Sequence, residues 1–427
     1  MIHIHDDIIR GVLLKGNFGL EREMLRVTED GRLSHTAHPF PDEKRIVRDF
    51  CENQTELNTS VHDSVSGAME ELRELDGIIR AKLNKLPEKE LLWPFSNPPY
   101  IEDEADIPVA EFTGVQRSKT VYRDYLSGKY GRYKMTLCGI HINFSFSDDL
   151  IGRECILASG DMADIKNRIY LDLAAGLMEY GWILTVLTAA SPLLDGSFLE
   201  KGRSGETVFT GMSSYRCGDN GYWNDFVPVL DYSSIEAYAG SIRAYIEEGL
   251  LNSPSELYYP IRLKSEGVND LDVLTAKGVD HIELRMFDLD PLLPLGLDER
   301  DVIFAHLLMV WIASREISIP SAKDQIRTAG NYKRAARYDL DTVSYINRHG
   351  ISLPMRRAAL LITEQMEDFY RAYPDDIRDV IRFEREKLID RTKSYSYIVR
   401  QKYGDMFSAK AIAAAVAAAD ELAKERR

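Results

Sequence analysis

Gly19-Leu-Glu-Arg-Glu-Met-Leu-Arg26 alternates in character with a period of two, the pattern of a β-strand. Successive strand side chains point to opposite faces, so Glu21 and Glu23 share one side, about 6.6 Å apart along the chain. Arg22 projects the other way. That separation is too wide for a hydrogen bond between the carboxyls. It suits two ligands of one cation, or one ligand each for neighbouring cations; the plain alternative is a solvated strand face.

Moving outward, three more segments carry polar groups on one face. In Gly139-Ile-His-Ile-Asn-Phe-Ser-Phe146, Ile140, Ile142, Phe144 and Phe146 form an apolar side, and His141, Asn143 and Ser145 form the other. In Asp280-His-Ile-Glu-Leu-Arg-Met286, His281, Glu283 and Arg285 oppose Ile282, Leu284 and Met286. Residues 51–59 are poor in helix formers and read as a strand with Glu52, Gln54 and Glu56 on one face, so Asp49 needs a bend to join them. Strand faces that offer Glu, His and Arg together imply a sheet with one wet, acidic surface. Oxygen-rich ligand sets of this kind select Mg²⁺ or Mn²⁺ rather than zinc.

The remaining pattern is helical. Met69, Leu72, Leu75, Ile79 and Leu83 recur at helix spacing within residues 66–86, and residues 160–190, 298–316 and 354–390 read similarly. The alanine-rich segment 408–427 reads as a terminal packing helix that Ser408 can cap. Strands and helices mixed without regular βαβ alternation give an α+β fold. No Pro/Gly-rich boundary divides the chain, so residues 1–427 are expected to form a single domain whose last part, about 300–427, is helix-rich.

Composition excludes other classes. The 427 residues include 68 Asp and Glu against 53 Lys and Arg, a formal charge of −15, which argues against nucleic acid as the main partner. The apolar runs at 182–190 and 302–313 are too short to span a bilayer, and the N-terminus lacks a signal layout, so no membrane partner is expected. Cys51, Cys138, Cys155 and Cys217 contain no C-x-x-C pair. A reducing, cytoplasmic setting follows. Phosphate-loop, G-x-S-x-G and H-E-x-x-H motifs are all missing.

Read in order, the stretches Gly19–Val27, Asp49-Phe-x-Glu-x-x-x-Glu56, Trp93-Pro-x-Ser96, Gly139-x-His-x-Asn-Phe-Ser145, Arg216-x-x-Asp-x-Gly-Tyr222, Glu256-Leu-Tyr-x-Pro-Ile-Arg262, Ile282-Glu-x-Arg285 and Pro294-x-Gly296 form a specific series. The series resembles bacterial glutamate–cysteine ligases (γ-glutamylcysteine synthetases), including the ligase part of bifunctional glutathione-synthesising enzymes. The resemblance covers roughly residues 16–315. It implies a cupped antiparallel sheet of the glutamine synthetase-like carboxylate–amine ligase type, surrounded by helices. It also implies an ATP-dependent reaction in which the γ-carboxylate of L-glutamate is phosphorylated and then joined to the amino group of L-cysteine, the first step of glutathione synthesis. Small-molecule substrates and Mg²⁺ (or Mn²⁺) would then be the partners.

Carried over by position, the resemblance implies Glu21, Glu23, Asp49, Glu56, His141 and Glu283 as metal ligands, with Glu52 a neighbour of the set. Arg285 and Arg262 would face the γ-carboxylate or the transferred phosphate. Tyr122, Leu126, Arg216, Tyr222 and Tyr258 would form the acceptor pocket, Arg216 holding an α-carboxylate through a bidentate pair. One departure bears on the acceptor: family members often read Gln-Thr-Ile-Ser-Gly where this chain reads Met135-Thr-Leu-Cys-Gly139. The same chemistry with another amine therefore stays open, as does a two-metal phosphoesterase using the same ligand types. A chain ending at Arg427 is expected to lack the second ATP-using module of the bifunctional enzymes.

Overall fold

The computed structural model describes residues 1–200, 205–267 and 269–425, with side chains as far as residue 419. Its eleven strands are β1 (Gly16–Thr28), β2 (Ile46–Arg48), β3 (Gln54–Asn58), β4 (Glu90–Leu92), β5 (Ile140–Phe146), β6 (Leu193–Asp195), β7 (Thr207–Phe209), β8 (Ile261–Lys264), β9 (His281–Phe287), β10 (Ser344–Ile346) and β11 (Ser352–Pro354). Seven of them make one open antiparallel sheet in the order β2-β3-β1-β5-β9-β8, with β4 paired to the far end of β1. The pairs β6–β7 and β10–β11 are small separate hairpins.

Alternation along β1 and β5 sets the two faces of this sheet. The side carrying Phe18, Leu20, Ile142 and Phe144 is buried against helices, among them Val65–Leu83 and, through His306, Glu299–Ala313. Phe18 meets His306 of the latter helix edge-on, with ring centroids 5.1 Å apart. Two arginines point into this covered side. Arg22 pairs with Asp76 of the helix Val65–Leu83, and Arg26 donates to Glu90 on β4 at 2.7 Å. Buried charges persist only when paired in this way. The opposite face of the sheet carries the acidic residues.

Most segments follow the sequence reading, and the departures have local causes. The strand read at 51–59 begins only at Gln54, because residues 49–53 turn the chain between β2 and β3. The helical pattern at 354–390 is two helices, Met355–Phe369 and Asp375–Ile389, since Pro374 cannot continue the first and opens the second. Residues 160–190 likewise break at Gly181, where Met162–Tyr180 and Trp182–Thr188 meet at 56°. The last helix starts at Phe407, so Ser408 lies inside its first turn rather than capping it; its hydroxyl bonds Asp195 at 3.0 Å. Among the described residues, no single helix is long and apolar enough to cross a membrane.

Candidate active site

Register places the polar groups side by side across five strands. Glu23 on β1 faces Glu56 on β3, and Glu21 faces His141 on β5. On β5, Asn143 faces Glu283 of β9, which in turn faces Arg262 of β8. The row lines a cavity of about 190 Å³ whose other walls are the helix Arg117–Tyr130, the residues around Ser255–Tyr258, and Tyr222. Asp49 joins it because the turn after β2 supplies the bend that a straight strand could not; the Arg123 guanidinium fixes that turn by donating to the Asp49 carbonyl at 2.7 Å.

Charge is divided across the cavity. Glu23, Asp49 and Glu56 crowd one half. Burial, then Asp49, push the Glu23 carboxyl up to about 8. Burial with neighbouring carboxylates raises Glu56 well above the usual carboxylate range, and burial raises Asp49 against the pull of Arg123. The other half is cationic. Burial opposes ionisation of Glu283, yet Arg285, Lys264 and Arg262 together hold it well below the usual range. Arg285 lies 3.1 Å from Glu283, and Lys264 and Arg262 each lie 3.7 Å away. Burial and Arg285 bring His141 down to about 4, so its imidazole is neutral near pH 7.

These groups fit a hard divalent cation. Glu21, His141 and Glu283 each offer a ligand atom, and the three atoms lie within 4.8 Å of one another. Glu283 Oε2 is buried without a hydrogen-bond partner, and the His141 Nδ1 already meets Glu21 at 3.0 Å. A carboxylate-rich set with one neutral imidazole matches Mg²⁺ or Mn²⁺.

A model of the glutamate–cysteine ligase family matches residues 2–249 and 227–335. The chain belongs to the glutamate–cysteine ligase family. Similar curated proteins include the glutathione biosynthesis bifunctional protein GshAB of Listeria monocytogenes, 35% identical over 415 residues, covering 93% of this chain and 53% of that protein. The protein of the same name from Clostridium perfringens is 33% identical over 406 residues, covering 90% and 51%. The chain thus spans about half the length of these relatives.

Among solved structures, the glutamate–cysteine ligase of Francisella tularensis in complex with AMP superposes with a TM-score of 0.84 at 23% identity, covering 96% of this chain and 89% of that one. A bifunctional glutathione synthetase from Pasteurella multocida gives 0.83 at 24%, covering 98% and 54%. At these identities the likeness establishes the fold, and the α+β ligase architecture expected from the sequence is the one present.

Within this ligase-family chain, the structure gathers most of the residues singled out from sequence. Glu21, Glu23, Asp49, Glu56, His141 and Glu283 all line the one cavity, with Arg262, Arg285, Tyr122, Leu126, Tyr222 and Tyr258. Only Glu21, His141 and Glu283 meet as a three-ligand cluster among the described residues. Glu52 does not join them. It turns back from the cavity to bond Arg48 at 2.6 Å and the His38 amide at 2.8 Å.

Arg216 also departs from the expected free fork. It is buried beside β5 and β9, donating to the carbonyls of Arg285 at 2.8 Å and Phe287 at 3.4 Å, with its Nη2 3.5 Å from His141 Nε2. A Cβ at residue 139 would stand 2.2 Å from its guanidinium carbon, so the glycine there is what lets Arg216 pass. Arg262 is similarly engaged: it donates to the carbonyls of Leu257 and Ser255, holding the segment that carries Tyr258.

Four lining residues escaped the sequence reading: Phe50, Arg123, Ser255 and Lys264. Lys264 was signalled by Ile261-Arg-Leu-Lys264, where alternation puts Arg262 and Lys264 on one face. Arg123 had no such signal, because its partner is a backbone carbonyl distant in sequence.

Proposed function

We propose that this chain catalyses the ATP-dependent joining of the γ-carboxylate of L-glutamate to the amino group of L-cysteine through γ-glutamyl phosphate. The observation that carries the reading is the meeting of Glu21, His141 and Glu283 beside Arg285 in a single cavity of the sheet. Glu21, His141 and Glu283, with Glu23, Asp49 and Glu56 beside them, would hold Mg²⁺ or Mn²⁺. Bound there, such ions offset the charge that repels two anionic reactants.

The chain's own groups supply the rest. Arg285, whose guanidinium meets Glu283 and lines the cavity, stabilises the anionic oxygens that develop during phosphoryl transfer. Arg262 positions the Tyr258 segment, and the Tyr222 and Tyr258 rings, 4.4 Å apart, close one end of the cavity. Phe50, Leu126 and Met135 are buried apolar walls that exclude water from an acyl phosphate. Arg216 holds the backbone of β9 through the Arg285 and Phe287 carbonyls. Residues 1–427 then work as one carboxylate–amine ligase domain, a reading supported by the packing of the C-terminal helices on the sheet-bearing part. ATP as co-substrate and four cysteines that are all free support a cytoplasmic setting.

The test is release of ADP and phosphate from ATP, with products identified by mass. Release that requires glutamate and a γ-glutamyl product with cysteine support the reading; release indifferent to both amino acids removes it. Met135 stands in the cavity wall, so a different amine is the second reading. A panel of amines in the same assay decides between the two, and strong preference for cysteine removes the alternative.

A further inference from the structure

Glu256 opens the stretch Glu256-Leu-Tyr-x-Pro-Ile-Arg262, yet it does not line the cavity. It ends the short turn Pro254–Glu256 and is wholly buried. One of its carboxylate oxygens accepts from the Lys129 ammonium at 2.6 Å, the Tyr130 hydroxyl at 2.8 Å and the Tyr125 hydroxyl at 3.3 Å. The other accepts from the Asn252 amide at 2.5 Å. A carboxylate taken out of water persists only with partners of this kind.

Three of those four donors belong to one helix, Arg117–Tyr130. Only Arg123 and Leu126 of that helix are buried, so it has little apolar surface to fix its place. Polar contacts hold it instead. Arg123 ties its middle to the Asp49 turn, and Glu256 ties its last turn to the segment before β8. Tyr122 and Leu126, four residues apart, line the cavity, while Tyr125 and Lys129, four apart on the adjoining stripe, meet Glu256.

The backbone of residue 256 extends the tie. The Asn224 amide group donates to the Glu256 carbonyl at 2.8 Å and to the Tyr130 hydroxyl at 3.1 Å, and its oxygen accepts from the Tyr258 amide at 2.9 Å. Tyr130 also packs edge-on against the Tyr258 ring, with centroids 5.4 Å apart. Glu256 thus joins the three pieces of chain that carry Tyr122, Tyr222 and Tyr258.

We propose that Glu256 is a positioning residue for the acceptor amine: it clasps the helix Arg117–Tyr130 onto the Tyr258 segment and so sets the width of the tyrosine-lined end of the cavity. The proposal rests on the ligase reading, in which the carboxylates and Arg285 serve phosphoryl transfer and this end receives the amine. An uncharged amine suits walls of neutral phenols and Leu126 better than a phosphate would. With the clasp loosened the amine is held less well, and water can take its place at the acyl phosphate. The water oxygen then bonds the acyl carbon, the bond from that carbon to the phosphate oxygen breaks with its electron pair leaving on phosphate, and the two water protons pass to phosphate and solvent.

The test compares Glu256→Gln with the unaltered chain in steady-state assays with ATP, glutamate and L-cysteine, measuring phosphate and γ-glutamyl product together. If the amine panel selects another acceptor, that amine replaces cysteine. The KM for the amine is expected to rise about tenfold or more, with the KM values for ATP and glutamate changed less than about twofold. Phosphate should also be released in excess of γ-glutamyl product. Lys129→Met, which removes a donor from the same contact, should move the same readouts, and the double variant should raise the amine KM by less than the product of the single effects. An unchanged amine KM overturns the assignment, and so does an equal rise in all three KM values, which marks general damage. If Glu256→Gln fails to fold by its melting curve, Lys129→Met decides by the same outcomes. Failure of the ligase reading is seen separately, in the unaltered chain, as no γ-glutamyl product with any amine of the panel.

Discussion

Glu23 is the side chain on which charge and shape separate most cleanly. Its carboxyl accepts from the Gly139 amide at 3.1 Å and is pushed up to about 8 by burial and by Asp49. Replacing it with glutamine keeps the volume while removing a charge that the fold does not need. Glu23→Gln should therefore melt at the same temperature as the unaltered chain or slightly above it, while metal-dependent turnover falls by about a hundredfold or more. Calorimetric melting beside an ADP-release assay checks both halves, and near-normal turnover would remove Glu23 from the ligand assignment. The two-residue spacing of Glu21 and Glu23 made this face legible in the sequence, since strand alternation depends on nothing beyond neighbouring residues. Arg216 was legible as a residue of interest but not in its surroundings. The carbonyls that occupy it belong to residues 285 and 287, and only the tertiary approach permitted by Gly139 brings them within reach.

At the scale of elements, β1 is read correctly on its polar side because Glu21 and Glu23 fall two residues apart on one strand face. Its covered side is harder, because Arg22 and Arg26 look like surface residues in sequence and yet are almost wholly buried. Their partners, Asp76 and Glu90, lie in other elements, and no local pattern links them. The Arg22–Asp76 pair joins the helix Val65–Leu83 to the strand, while Arg22 also donates to the Leu295 carbonyl at 2.8 Å. Asp76→Ala leaves Arg22 buried and uncompensated, and should cost about 3–5 kcal/mol of unfolding free energy. Arg22→Met with Asp76→Leu replaces the pair by apolar volume, and should cost less than the single Asp76→Ala change. Urea unfolding of the three proteins measures this order directly. A double variant less stable than Asp76→Ala would show that the carbonyl contact, rather than the charge pair, holds the helix in place. The Asp49 turn shows the same limit of local reading: its bend is set by Arg123, which a pattern of neighbouring residues cannot report.

For the molecule as a whole, the least legible part is the join between the sheet and the C-terminal helices. Lys387, buried, meets Asp301 at 2.8 Å and Glu384 at 2.9 Å, and Tyr395 donates to Asp301 at 3.0 Å. The sequence shows these residues only as members of charged helix faces. Nearby, residues 290–296 form a turn closed by the Asp290 amide on the Gly296 carbonyl at 2.9 Å. Gly296 has φ of +72°, which favours glycine. This turn touches both parts, through Arg22 on the Leu295 carbonyl and Tyr403 on the Pro291 carbonyl. Within it, burial and then Asp301 push the Asp290 carboxyl up from 3.8 to about 7, although Lys387 and the Leu292 amide oppose the shift. A carboxyl with a raised folded-state value holds a proton that the unfolded chain releases near pH 4. Its contribution to stability is therefore greatest below that pH and declines as pH rises to about 7, with an upper limit of roughly 4 kcal/mol. Asp290→Asn cannot ionise, so the difference in unfolding free energy between variant and parent should grow in the variant's favour from pH 4 to pH 7, then level off. Denaturant unfolding across that range measures the difference, in which titrations common to both proteins cancel. A difference that stays flat would place the Asp290 carboxyl in contact with water and leave the turn held by its backbone bonds and the Arg22 contact alone.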